Sequence, residues 1–206
     1  MVQQRARFST LVVNMVTSAK VLAARDVQRL LTHVGQGRFK ERNNVIVQLS
    51  YLSGLRACEI AGLDWSMMAG AHGAVGKHMT VSGSIAKNGR ERLMPLHTDL
   101  ATSLSRLHDT QGRPRTGPVI RSLRGGHMTP RSVVNWFTKL YGELGFEGCS
   151  SHSGRRTFIT RSARLISKAG GSLRDIQELA GHSSLHTTER YIICDRDAQR
   201  KLMRLL

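Results

Sequence analysis

A mainly helical protein carrying one small antiparallel β-sheet is the fold class the sequence predicts, and three observations predict it. Apolar residues recur at helical spacing through most of the 206-residue chain. One stretch, "HMTVSGSIAKNGRERLMPL", alternates instead and contains Asn88-Gly89, the strongest short hairpin signal. The length is enough to bury a core as one domain with a short extra arm.

Residues 1–20 have no clear period and read as an N-terminal arm. Val27, Leu30, Leu31 and Val34 then follow helical spacing, with Gly35 as a stop. A second helix is predicted over residues 41–53, with Val45, Leu49 and Leu52 on one face and Gly54 after it. A third, short helix runs through Ile60 and Leu63, which puts Arg56 in the tight turn between two helices, where a long side chain can be aimed into a cleft. Lys87 stands at the mouth of the hairpin turn. Helices resume at Thr98, read as a cap ahead of Leu100, Leu104 and Leu107, and the Gly and Pro content of residues 109–118 marks a loop. Thr129 and Pro130 read as cap and first turn of the clearest helix, which carries Val133, Val134, Phe137, Leu140 and Leu144 and closes at Gly145. Another helical run follows "CSSHSGRR" to about residue 167, and Ser172 with Asp175 forms a capping pair for a helix stopped by Gly181. Residues 195–206 read as a short amphipathic helix with Ala198, Leu202 and Leu205 on one side, too short to stand alone and so expected to dock. No internal repeat or low-complexity tract is present.

Charge narrows the partners. Thirty-one Lys and Arg against fourteen Asp and Glu give a net charge of +17, distributed along the chain rather than held in one tail. That bias points to a polyanion, nucleic acid first. A membrane partner is disfavoured, because no apolar run approaches the roughly 20 residues that span a bilayer. The N-terminus lacks a convincing signal-peptide core, so a cytoplasmic, DNA-associated location is expected. Cys58, Cys149 and Cys194 are odd in number and widely spaced, and they read as reduced and structural. Cys149 with His152 and His182 with His186 have spacings that raise zinc, but there is no second Cys pair, and "HSSLH" lacks a zincin glutamate. Neither a metal nor a cofactor is expected.

The stretch "ELAGHSSLHTTERYI" holds two histidines, two adjacent threonines and a late tyrosine in a chain with only three tyrosines. In chain order, Arg56, Lys87, His152, Arg155, His182 and Tyr191 sit at turns and helix starts. Such a set suits a phosphodiester. Arginines clamp the non-bridging oxygens and stabilise the pentavalent transition state, a lysine or histidine protonates the leaving oxygen, and a tyrosine ester with phosphate conserves the energy of the broken bond. Each residue alone has a structural alternative. Arg56 can be a cap, Lys87 a solvated hairpin residue, His152 and His182 core histidines and Tyr191 a core aromatic. Arg90, Arg156 and Arg190 are candidate phosphate contacts.

From about residue 21 to the end, these motifs resemble the tyrosine recombinases, or phage integrases, with 21–206 as their catalytic domain. "SGLRACEIAGLDW" resembles the family's first box, which makes Arg56 its arginine and Glu59 a supporting acid. "AKNGRERLMPL" resembles its β-hairpin with Lys87 as catalytic lysine, "SHSGRRTFIT" its His-x-x-Arg box, and "LAGHSSLHTTERYI" the last box with His182 and the nucleophile Tyr191. The resemblance implies a site-specific recombinase that cleaves and rejoins DNA through a 3′-phosphotyrosyl intermediate in integration, excision or inversion. It also implies a duplex with recombination sites as partner, a homotetramer on paired sites whose C-terminal helix docks between protomers, and room for an accessory DNA-bending protein. A catalytically inactive DNA-binding regulator and a type IB topoisomerase-like nick-and-close enzyme are the alternatives. Two departures stand out. Gly154 occupies a place where members commonly carry leucine, which is expected to loosen the start of that helix. About 20 residues precede the resembling stretch, so the separate N-terminal clamp domain of most members is expected to be absent.

Overall fold

The computed structural model describes residues 19–68, 70, 73–191 and 203–204. Residues 1–18 of the predicted arm over 1–20, Cys194 and nearly all of the predicted helix over 195–206 therefore lie outside the described residues. Among the described residues there are eight α-helices and one two-stranded antiparallel sheet, which is the predicted mainly helical class with a small antiparallel sheet.

Helix α1 (Ala24–Val34) buries Val27, Leu30 and Val34, the stripe its spacing announced. Helix α2 (Lys40–Leu52) departs from its predicted single face, since residues 45–51 are all buried. It is the central helix, enclosed by α1, by α4 (Thr98–Thr110) and by α6 (Ser153–Leu165). Its polar Gln48 and Ser50 go inside with the aliphatics, which is why the sequence looked amphipathic while the helix is covered all round. Gly54 turns the chain at φ +61, and a Cβ there would overlap the ring of Phe158. The turn leads into α3 (Ala57–Gly62), which packs on α5 (Pro130–Glu143).

Strands β1 (His78–Val81) and β2 (Arg92–Pro95) pair with Val81 opposite Arg92 and His78 opposite Pro95. The predicted hairpin is present, but Asn88-Gly89 does not join the strands directly. Residues 82–91 form a longer connection in which a first turn at Ser82 tucks Ala86 out of solvent and packs Ile85 on the core. Burial of that pair accounts for the added length. A second turn closes from Gly89 N–H to the Ala86 carbonyl at 3.0 Å and holds Lys87 at its tip.

Capping explains most helix starts. Thr129 accepts from Ser132 N–H at 3.1 Å and Pro130 opens α5. Ser172 and Asp175 cap α7 (Leu173–Ala180), which ends at Gly181 with φ +61. At α4 the expectation needs correction. His97 is the cap, its Nδ1 accepting from Asp99 N–H at 3.2 Å, and Thr98 is already helical. A short helix not expected from the sequence, α8 (Leu185–Glu189), leads to Tyr191.

Two apolar clusters result. The large one takes in α1 to α5 and the hairpin. The small one centres on Ile159, Ile176 and Ala180 of α6 and α7, with Tyr191 packed against it. The expected loosening at Gly154 is not what the packing shows. There α6 approaches α2 so closely that a Cβ on Gly154 would fall 2.8 Å from that of Ser50. The missing side chain is what lets these helices close together.

Candidate active site

The α2–α3 corner, the hairpin loop, the start of α6 and the α7–α8 corner deliver the predicted polar residues to one place. Arg56 precedes α3, donating its backbone N–H to Glu59 Oε2 at 2.8 Å and its Nη1 to Oε1 at 3.2 Å. Glu59 itself is fully buried. Its second partner is Arg92, whose Nη1 and Nη2 donate to Oε1 and Oε2 at 2.9 and 3.0 Å, while Nε donates to the Leu179 carbonyl at 3.0 Å. Burial pushes the Glu59 carboxyl up, but the fork and charge of Arg92, with the backbone N–H and charge of Arg56, outweigh it and hold it below the ordinary carboxylate range. Arg92 was not among the predicted site residues, because one arginine opening a strand looks like surface charge. The available signal was Glu59, an acid on the buried face of a short helix that needs more donors than Arg56 supplies.

Arg155 lies in the first turn of α6 and is 3% exposed. Its Nη1 donates to the Gly54 carbonyl at 2.6 Å and its Nη2 to the Ala180 carbonyl at 2.7 Å, which fastens the α2–α3 corner to the end of α7. Burial, then the charge of Arg56, lowers its pKa to about 10, so it stays protonated at neutral pH. His152 stands at the N-cap position of the same helix, makes no side-chain capping bond and is exposed. Partial enclosure, followed by Arg155, Arg56 and Lys87, lowers its pKa and favours the neutral ring. Lys87 is exposed at the hairpin tip, and its neighbour Asn88 reaches the Gly181 carbonyl at 3.5 Å, leaning that tip toward His182.

His182 follows the Gly181 turn and is 8% exposed. The Gln177 side chain donates to its carbonyl at 3.1 Å, and its Nδ1 lies 2.9 Å from Thr188 Oγ1. Burial, then Arg155 and Arg56, brings its pKa down to about 4, so the ring is uncharged near neutral pH. The Tyr191 ring stacks on it, centroids 5.8 Å apart and planes 20° apart. Arg156, expected as a phosphate contact, lies with its guanidinium 5.7 Å from the Tyr191 ring centroid. Arg90 is exposed on the groove it shares with Gly181 and His182, and Arg190 is exposed.

Chemically, the arrangement offers guanidinium forks over a buried anionic brace, two neutral imidazoles and a phenol beside them. Among the described residues no group of three or more His, Cys, Asp and Glu could hold a metal ion. His182 is turned inward on Thr188, whereas His186 is exposed and lies 3.6 Å from Glu189. No helix among the described residues is long and apolar enough to cross a membrane.

The phage integrase family profile matches residues 20–197. The tyrosine recombinase XerC of Pelobacter propionicus is 32% identical over 155 residues, covering 73% of this chain and 47% of that protein. XerC of Actinobacillus pleuropneumoniae is 31% identical over 179 residues, covering 85% of this chain and 55% of that protein. The chain thus spans about half the length of these curated relatives. Among solved structures, the XerA recombinase superposes with a TM-score of 0.68 at 21% identity, over 90% of this chain and 64% of that one. The XerH recombinase bound to its difH substrate superposes at 0.66 and 18% identity, over 89% and 53%. At those identities the likeness is one of fold.

Proposed function

The chain belongs to the phage integrase family, and from that premise we propose that it is a site-specific DNA strand transferase with Tyr191 as nucleophile. The phenolic oxygen attacks a scissile phosphorus and forms a 3′-phosphotyrosyl bond as the bond to the 5′ oxygen breaks. A neutral His152 assists removal of the phenolic proton, and Lys87 gives a proton to the departing 5′ oxygen. Arg56, Arg155 and His182 hold the non-bridging oxygens, where each donor aimed at developing charge is worth on the order of 10²–10³ in rate. A 5′-hydroxyl from a partner strand then reverses the step, with one phosphoester exchanged for another and no external energy source. Glu59 takes no part in the exchange and braces Arg56.

The observation that carries this reading is the stack of Tyr191 on His182, two residues after the Ala180 carbonyl to which Arg155 is bonded. Binding alone would not require a phenol beside a phosphate site. The partner on this reading is duplex DNA with recombination sites, on which protomers assemble as a tetramer through residues 195–206, with an accessory DNA-bending protein compatible with that assembly.

The test uses a duplex recovered by binding selection from a randomised pool and nicked beside the scissile phosphate, so that cleavage traps the covalent complex. With chelator present, the protein should form an adduct that survives denaturation, and Tyr191→Phe should form none. A bound duplex that the unaltered protein never cleaves would favour the inactive-regulator reading instead.

A further inference from the structure

Of the adjacent threonines in "HTTERYI", neither has a part in the chemistry above. Thr188 is fully buried. It touches both halves of the site at once, since its Oγ1 lies 2.9 Å from His182 Nδ1 and its carbonyl accepts from Tyr191 N–H at 3.0 Å.

The direction of the first bond follows from what a hydroxyl needs. If Nδ1 carried the proton and donated to Thr188, the hydroxyl hydrogen would need a second acceptor. Among the described residues, the side-chain partner of Oγ1 is Nδ1 alone, and no solvent reaches the residue. A buried donor without an acceptor costs more than an idle lone pair. The reverse arrangement satisfies both groups, provided that the ring is uncharged, and the cations around His182 together with its burial keep it so.

Building on the strand-transfer reading, we propose that Thr188 is a positioning residue whose hydroxyl donates to His182 Nδ1. The bond fixes the tautomer that carries its proton on Nε2, the nitrogen left to donate to a phosphate oxygen. The same residue, through its carbonyl, sets the chain position of Tyr191, so the phosphate donor and the nucleophile are indexed to one point.

The primary measurement needs no DNA. In protein labelled with ¹⁵N-histidine, the His182 signals, assigned by their loss in His182→Asn, should show a protonated Nε2 and an unprotonated Nδ1 near neutral pH. Thr188→Ser should keep that pattern, and Thr188→Val, which removes the donor at nearly constant shape, should move the unprotonated Nδ1 signal to that of a ring nitrogen accepting no hydrogen bond. On the nicked duplex, Thr188→Val should slow single-turnover cleavage on the order of 10–100-fold, as loss of a partner that orients a histidine does elsewhere, with duplex affinity little changed. Thr188→Ser should stay near the unaltered rate. Protonated Nδ1 in the unaltered protein overturns the proposal, and that result stands even if Thr188→Val fails to fold. So does a Thr188→Val protein in which either the Nδ1 signal or the rate is unmoved. If the unaltered protein cleaves nothing, the strand-transfer reading fails by itself, and the tautomer still decides the hydrogen bond.

Discussion

Glu59 collects four hydrogen bonds on two oxygens, two from Arg56 and two from Arg92, and the orientation of the Arg56 fork depends on that saturation. Breaking a buried pair from one side leaves an uncompensated charge and costs about 3–5 kcal/mol. Arg92→Ala should lower stability by that order in urea unfolding. Arg92→Lys, which keeps the charge and loses the fork, should impair cleavage more than duplex binding. His182 makes a second prediction. Its folded pKa of about 4 lies below the ordinary 6.5, so between those values the unfolded chain binds more protons than the folded one. The stability is complete above about pH 6.5 and falls as pH drops toward 4, by up to about 3 kcal/mol. His152, also lowered, acts in the same direction. Urea midpoints measured from pH 7 to 4.5 should decline, and His182→Gln should flatten part of the decline. The cations and the phenol were legible in the sequence because phosphate chemistry demands those residue types. Arg92 and the use of Thr188 were not, because each is defined by a partner distant in the chain or by a hydroxyl whose direction only burial decides.

Helices α2 and α6 meet where Gly154 leaves room for Ser50, and that contact sets the height of Arg155 and His152 above the central helix. Gly154→Ala would place a methyl group against the Ser50 hydroxyl. Overpacking of this kind costs typically about 1–3 kcal/mol, and a urea midpoint equal to that of the unaltered protein would show that the helices have slack. Caps written in local sequence, Thr129 with Pro130 and Ser172 with Asp175, were readable because the whole motif lies within a few residues. Helix α8 was not. At five residues it is far too short to form by propensity, and its place is fixed by Thr188 buried beneath it. The full enclosure of α2 was hidden for a related reason, since Gln48 and Ser50 look solvent-facing until α4 and α6 cover them.

Across the whole molecule, a large core supports Arg56 and the hairpin, and a small one supports His182 and Tyr191. Arg155 spans the two through the Gly54 and Ala180 carbonyls. On the proposed reading, a phosphate held by Arg155 would draw on both units. The net charge of +17 favours DNA binding under any reading, and salt dependence would not separate a recombinase from a silent binder. The site of covalent attachment does separate them. Adduct trapped on the nicked duplex, digested with nuclease and protease and mapped by mass, should carry its nucleotide on the peptide containing Tyr191, through the phenolic oxygen and a 3′-phosphate. A nucleotide mapped to any other residue, or attached through a 5′-phosphate, would contradict the account.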